Sequence, residues 1–475
     1  MSALDPGRLT PPEGCRRIAR RLEDAGFEAW WVGGSVRDAA VLQLGADAAT
    51  NRQEWDLATD ARPEEVMALF RRTVPVGVSH GTVRVLVGDD HVEVTTFRRD
   101  VETDGRHARV DFAASIEEDL SRRDFTVNAI GWRPATGEVR DPYDGFRDIE
   151  TGILRAVGDP EARFREDYLR VLRGLRFAGR FGWQVEPRTD DALREAVDGL
   201  AVLSAERVRE ELMKVLRDSK PSAGLDLYAT RGALVHWYPE LLGLAAARDE
   251  WLGALGAVDA VPAENLNARL ARLVVSAAET PEDRAAAADS LLSRLRFSNA
   301  ERRYVTRLSR LFLPFVGPMD SAAQHRRWLA SAGDAWEDLF VLHFAGARAE
   351  GSERGDDAER YLEATYERVR AERLEAPLSI GELAVRGDDM LALGMSPGPL
   401  IGLLLDELLE QVIEDPDRND REPLLAEARR LIEIGGLAEA SRPRDGAGTP
   451  PGSPDTRPPG PGAPPAGDEP PPTDG

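Results

Sequence analysis

The chain has 475 residues, 42% apolar and 31% charged, with a net charge of −23. At roughly 100 to 200 residues per domain it has room for about three domains, each with its own core. No run of about 18 apolar residues marks a membrane span, the lone Cys15 excludes an internal disulfide and a cysteine-rich zinc site, and so acidic a chain cannot coat nucleic acid with a broad basic surface.

The opening Met1-Ser2-Ala3-Leu4-Asp5-Pro6 lacks the basic start and apolar core of a signal peptide, so a cytoplasmic location is expected. Residues 14–26 place Ile18, Leu22 and Ala25 on one helical face and lead into the apolar strand Ala29-Trp30-Trp31-Val32 and the turn Gly33-Gly34-Ser35-Val36-Arg37-Asp38. Strand, tight turn and helix in that order aim backbone amides and a helix N-terminus at an anion, with Arg37 adding charge. Gly-Gly turns are common, and this one acquires meaning only from its context.

In Glu54-Trp55-Asp56-Leu57, strand alternation puts the carboxylates of Glu54 and Asp56 on one face, where they can hold Mg²⁺ against a triphosphate. A solvated strand face presents the same pattern. Pro63 opens a short helix, and residues 81–87 and 91–97 read as a β-hairpin whose Glu93 can serve either as a third carboxylate or as a surface position. Arg122-Arg123-Asp124-Phe125-Thr126-Val127-Asn128 then gathers cationic, acidic and amide groups at an expected helix start. Arg123 suits a phosphate, and Asp124 and Asn128 suit a ribose or the orientation of their neighbours. An ordinary capped helix with a surface ion pair is the alternative.

From Arg163 onward helical periodicity dominates, in 167–181, 190–200, 205–217, 222–231 and on to Leu431. The segment from Glu166 to Arg180 lines up Arg170, Arg173, Arg176 and Arg180 along one face and Val171, Leu175 and Ala178 along the other. With no acid at i+4, these cations are expected to repel one another and to require an anionic partner. Asp167 and Arg170 together offer the acceptor and donors needed to read the edge of a base. After Gly436 the composition turns to Pro, Gly, Ala and Asp, and 437–475 is expected to be disordered.

In this order the motifs resemble those of the bacterial and eukaryotic type of tRNA CCA-adding enzyme, a family that shares its head with bacterial poly(A) polymerases within the polymerase-β superfamily. Further matches are Val76-Gly77-Val78-Ser79-His80-Gly81, Asp141-Pro142-Tyr143-Asp144-Gly145, Leu203-Ser204-Ala205-Glu206-Arg207 and Gly387-Asp388-Asp389-Met390, so that the resemblance runs from about Trp30 to about Leu431. It implies an α+β fold, with a polymerase-β-like nucleotidyltransferase head over 14–150. An all-helical neck over 151–245 and a helical body and tail over 246–436 would follow.

The resemblance also implies roles. Gly34 and Arg37 would take the triphosphate, Glu54 and Asp56 the Mg²⁺, and Arg123 the nucleotide. Asp167 and Arg170 would read the base, with Arg173 and Arg176 near nucleotide or phosphate. The partners would be tRNA, CTP and ATP. Two features depart from the family pattern: Glu54 stands where aspartate is usual, and the connection 43–53 is long. The alternatives are a poly(A) polymerase, a partial CC- or A-adding enzyme, and a non-catalytic nucleotide-binding protein.

Overall fold

The computed structural model describes residues 11–45, 55–77, 81–88, 90–103, 108–112, 115–133, 135–312 and 321–434. Glu54, the long connection before it, residues 78–80 and the Pro/Gly-rich segment 437–475 lie outside these.

The first 140 residues are α+β, as their patterning predicts. Helix α1 (Glu13–Asp24) buries Cys15, Ile18, Ala19 and Leu22 and is followed by β1 (Ala29–Val32), α2 (Gly34–Gln43), β2 (Asp56–Thr59) and α3 (Pro63–Leu69). Next come β3 (Thr73–Gly77), β4 (Thr82–Val87), β5 (Asp90–Thr96), the hairpin of β6 (Arg98–Thr103) and β7 (Ala108–Phe112), and α4 (Ile116–Ser121). The head closes with β8 (Gly131–Arg133) and β9 (Glu138–Arg140).

Seven strands form one sheet in the order β3-β4-β5-β2-β1-β8-β9, antiparallel except for the β2–β5 pair. Alternation sorts its faces. Trp31, Leu57, Val83, Val85, Val92 and Val94 bury against α1, whereas Trp30, Val32, Ala58 and Phe97 bury against Ile116, Leu120 and Ala129. The expected helix at Arg122–Ile130 is only a 3₁₀ turn, Thr126–Asn128. The Asp124 side chain accepts from Phe125 N (2.9 Å) and from Asn128 Nδ2 (2.9 Å), local bonds that compete with a helical ladder.

Beyond the sheet the described residues form helices and their connections apart from the two-residue parallel pair β10 (Ile153–Leu154) and β11 (Gln184–Val185). In chain order the helices are α5 (Gly145–Thr151), α6 (Pro160–Glu166), α7 (Leu169–Phe181), α8 (Pro187–Glu195), α9 (Ala205–Arg217) and α10 (Pro221–Thr230). Arg248–Asp259, Leu266–Val275, Pro281–Arg294, Asn299–Leu311, Ala322–Ala332, Trp336–Glu350 and Glu353–Glu375 complete one compact unit, Met1–Glu375. A second unit begins at Ala376. Its own core of Val385, Met390, Leu405, Leu408, Val412 and Ala428 sits among the helices Gly387–Ala392, Pro399–Glu414 and Arg421–Ile434.

Helix α7 is the hub of the first unit. Val171, Leu172, Leu175 and Ala178 are buried, and Gly179 lets α10 approach so closely that a Cβ there would lie 2.6 Å from Gly224 Cα, a backbone atom that cannot swing aside. Gly179→Ala is therefore expected to destabilise the protein by about 1–3 kcal/mol, read as a lower urea midpoint. Gly253→Ala, inside helix Arg248–Asp259 with nothing near its Cβ position, should stabilise by about 0.5–1 kcal/mol.

Candidate active site

Sheet register assembles the site. β1 ends at Val32, which pairs with Asp56, the first residue of β2, and with Gly131, the first of β8. The Gly33-Gly34 turn, Asp56 and the Arg122–Asn128 segment that precedes β8 therefore meet at one end of the sheet. Gly33 has φ +72°, a value that favours glycine. A Cβ there would stand 2.6 Å from Arg123 Nη1 and 3.9 Å from Asp56 Oδ2, so the turn, a guanidinium and a carboxylate are in near contact. Asp119 Oδ2 takes Arg123 Nη2 (3.0 Å), while Arg123 Nε is buried without a hydrogen-bond partner among the described residues.

Glu93 lies one strand away from Asp56 at the same register, so both side chains project from the same face. It receives Arg84 Nη2 at 2.6 Å and does not line the cavity described below, whereas Asp56 does.

The arginine face of α7 closes the site. The expectation that these cations lack compensating acids fails, because acids distant in sequence and Glu166 at i−4 supply them. Arg170 binds Glu166 (2.5 Å) and donates to the carbonyls of Arg163 (2.8 Å) and Arg122 (3.1 Å). Arg173 clamps Asp124 Oδ2 through Nε (2.8 Å) and Nη2 (2.7 Å). Arg176 meets the fully buried Glu211 at 2.8 Å. Arg180 stands 3.6 Å from Asp218 and 3.9 Å from Asp38.

Arg37 runs beneath this ladder. It is 4% exposed, its guanidinium lies over Phe177 (4.5 Å) and Phe181 (5.1 Å), and its donors reach Asp38 (2.8 and 2.6 Å) and Asn128 Oδ1 (2.5 Å). Asn128 in turn donates to Asp124, so a chain of hydrogen bonds runs Arg37–Asn128–Asp124–Arg173. Burial works to raise the Asp124 pKa, but Arg173 and Asn128 outweigh it and hold the carboxyl well below the usual range. The Arg173 guanidinium is correspondingly held above its ordinary value, burial opposing and Asp124 prevailing.

These groups border a cavity of about 950 Å³ lined by eleven Arg or Lys and six Asp or Glu side chains, an electropositive hollow in an acidic chain. Gly34, Arg37, Asp56, Arg123, Asp124, Asn128, Asp167, Arg170, Arg173 and Arg176 all face it. Asp167 caps α7 through Leu169 N (3.1 Å) and is gripped by Arg207 Nη2 (2.7 Å).

Reasoning from the sequence singled out neither Arg207 nor Glu211 as a site residue, nor Lys214, Arg217 and Asp218. Their signal, acids and bases spaced along and just after α9, cannot be told in sequence from that of a solvated helix. Among the described residues no cluster of three metal-ligating side chains occurs, and no helix is long and apolar enough to cross a membrane.

Residues 29–155 match the family described as the poly A polymerase head domain, and 182–243 match the one described as a probable RNA and SrmB-binding site of polymerase A. A CCA-adding enzyme of Leuconostoc mesenteroides is 33% identical over 87% of this chain and 95% of its own length. Another, from Lactiplantibacillus plantarum, is 34% identical over 89% of this chain and 97% of its own. Among solved structures, that of a Bacillus stearothermophilus CCA-adding enzyme in complex with CTP has a TM-score of 0.72 and 30% identity. It covers 90% of this chain and 99% of that one.

Asp218 links the cavity to a measurable pH dependence. Burial pushes its carboxyl up to about 6, outweighing the attraction of Arg180 and Arg176. An acid with a raised folded pKa binds its proton more tightly when folded than when unfolded. Its contribution to stability is therefore present below pH ~4 and is lost as pH rises through about 6. Asp218→Asn should thus stabilise the protein at pH 8 by about 1–2 kcal/mol, a figure discounted for partial solvent access, and leave it unchanged at pH 3.5. Urea melts at the two pH values measure this.

Proposed function

The chain belongs to the CCA-adding enzyme family, and from this premise we infer that it builds the CCA end of tRNA by template-independent nucleotidyl transfer, taking CTP and ATP. The observation that carries this reading is the single cavity shared by the Gly33-Gly34 turn, Asp56 and the Asp167–Arg180 face. The tRNA 3′-hydroxyl attacks the α-phosphate of the incoming nucleotide and pyrophosphate leaves.

Backbone amides at Gly33 and Gly34, with Arg123, face the triphosphate, where donors already in place stabilise charge that grows in the transition state. Arg37 keeps the turn seated on Phe177 and Phe181 and adds positive field from below. Asp167 and Arg170 select the base, positioned respectively by Arg207 and by Glu166. Asp124 and Asn128 act mainly through others, fixing Arg173 and Arg37. Arg173, Arg176 and Arg180 receive phosphate charge with the carboxylates behind them preventing mutual repulsion.

The acidic groups fit Mg²⁺. Asp56 presents a hard oxygen to the cavity, and Mg²⁺ takes only one or two carboxylates, completing its shell with water and phosphate oxygens. Glu54 and Asp56 would hold it, with Glu93, tied to Arg84, a supporting neighbour. When bound, the metal activates the hydroxyl and neutralises phosphate charge.

Purified protein given tRNA transcripts ending before CC, after CC or after CCA, with each nucleotide separately, is expected to add C, C and then A and to stop. Asp56→Asn should reduce incorporation by about 10²- to 10³-fold, the order lost when a key electrostatic group is removed. Continued A addition past CCA, or no incorporation by the wild type with Mg²⁺ or Mn²⁺, would overturn the reading.

A further inference from the structure

Helix α9 has a second surface, only part of which faces the catalytic cavity. Val208, Leu212, Val215 and Leu216 are buried along one side. The other side presents Arg209, Met213, Lys214 and Arg217 to a hollow of about 500 Å³ completed by Glu210, Phe297, Ser298 and Glu301. Lys214 and Arg217 line this hollow and the catalytic cavity alike, so the two adjoin at these side chains.

Among the residues lining the hollow, Arg209, Lys214 and Arg217 stand against Glu210 and Glu301, a small positive balance. Glu206 is tied to Arg296 (2.7 Å), Glu301 accepts from Ser298 N (2.9 Å) as the cap of its own helix, and Glu211 turns inward to Arg176. Arg217 is exposed and makes no ion pair among the described residues. Arg209 lies over the Phe297 ring (5.7 Å) and donates to the Arg296 carbonyl, with no carboxylate bound. Lys214 shares Glu211 with Arg176, and its side chain is 45% exposed.

We propose that Arg217, Lys214 and Arg209 form the track along which the RNA 3′ strand enters the catalytic cavity, their cations meeting successive phosphates. The inference rests on the nucleotidyl-transfer reading and deepens it. The eight-residue span from Arg209 to Arg217 is roughly 12 Å of helix, leading outward from the cavity, whereas a bound triphosphate is accounted for at the Gly33-Gly34 end. A cationic row that opens into the place where a 3′-hydroxyl must arrive suits a single strand held by its backbone without regard to sequence.

The chain contains only two lysines, Lys214 and Lys220, both exposed, which permits a direct footprint on the unaltered protein. Reductive methylation with formaldehyde and cyanoborohydride, read by mass spectrometry, is performed on protein alone, with CTP, with tRNA lacking CCA, and with poly-glutamate. The proposal expects Lys214 to be protected by tRNA and not by CTP or poly-glutamate. Equal labelling of Lys214 with and without tRNA overturns it, as does equal protection by CTP, which would make Lys214 a nucleotide contact, or by poly-glutamate, which would make the row a general anion surface.

In parallel, Arg209→Ala, outside the catalytic cavity, should raise KM for tRNA several-fold while leaving KM for CTP unchanged, and Arg217→Ala, which lines both hollows, should raise KM for tRNA by more than KM for CTP. Each should also lower the slope of log affinity against log salt by about 0.7, the value for one phosphate contact of a single strand. An unchanged tRNA KM and salt slope in both variants, in a wild type that incorporates nucleotide, sinks the track alone. A wild type that incorporates none sinks the underlying reading.

Discussion

Four like charges on one helical face cannot be brought together without compensation, and the catalytic part of this protein is organised around meeting that requirement. Arg170, Arg173, Arg176 and Arg180 project from α7 at helical spacing, and each is met by a carboxylate from elsewhere: Glu166 in α6, Asp124 before β8, Glu211 in α9, and Asp218 just beyond α9. A buried ion pair contributes little net stability because desolvation offsets attraction, and at Asp218 desolvation prevails; where the arginines prevail, as at Asp124 and Glu211, removal of one partner leaves a costly bare charge. The ladder therefore acts less as glue than as a constraint on position. The segments that bring the acids can occupy only the places the arginines dictate.

That constraint explains how so acidic a protein keeps an anion-binding cavity. The acids stand behind or beside the arginines and neutralise enough charge for the cations to be packed closely, while the guanidinium edges still dominate the cavity. Aromatic rings complete the support. Arg37 and Arg176 lie over Phe177 at 4.5 and 4.3 Å, and Arg180 over Phe181 at 5.1 Å. Phosphate charge entering the cavity meets donors whose orientation is already fixed, the condition under which electrostatic stabilisation is most effective.

Much of this was legible in the sequence. The strand, Gly-Gly turn and helix, the alternation around Asp56, and the 3.6-residue recurrence of Arg on α7 are local patterns with a single physical reading once taken together. What was not legible is tertiary. No local feature distinguishes Glu211 or Arg207 from the solvated acids and bases of any amphipathic helix, and only packing shows that one is buried against Arg176 and the other grips Asp167. The 3₁₀ turn at Thr126–Asn128 was hidden for a related reason. Its sequence is compatible with a helix, and the bonds from Phe125 N and Asn128 Nδ2 to Asp124 decide otherwise. Likewise, no local feature shows that Arg37, besides lining the cavity, is tied to Asp38 and Asn128.

The central claim is that the acids behind the α7 arginines and the arginines themselves work as one unit. A double-mutant cycle on Asp124→Asn and Arg173→Gln, with kcat/KM for CTP as the readout, tests it most directly. The account predicts that each single variant loses most of the activity and that the double falls little further than the worse single, giving a coupling of about 2 kcal/mol or more between the two positions. Losses that simply add would contradict it.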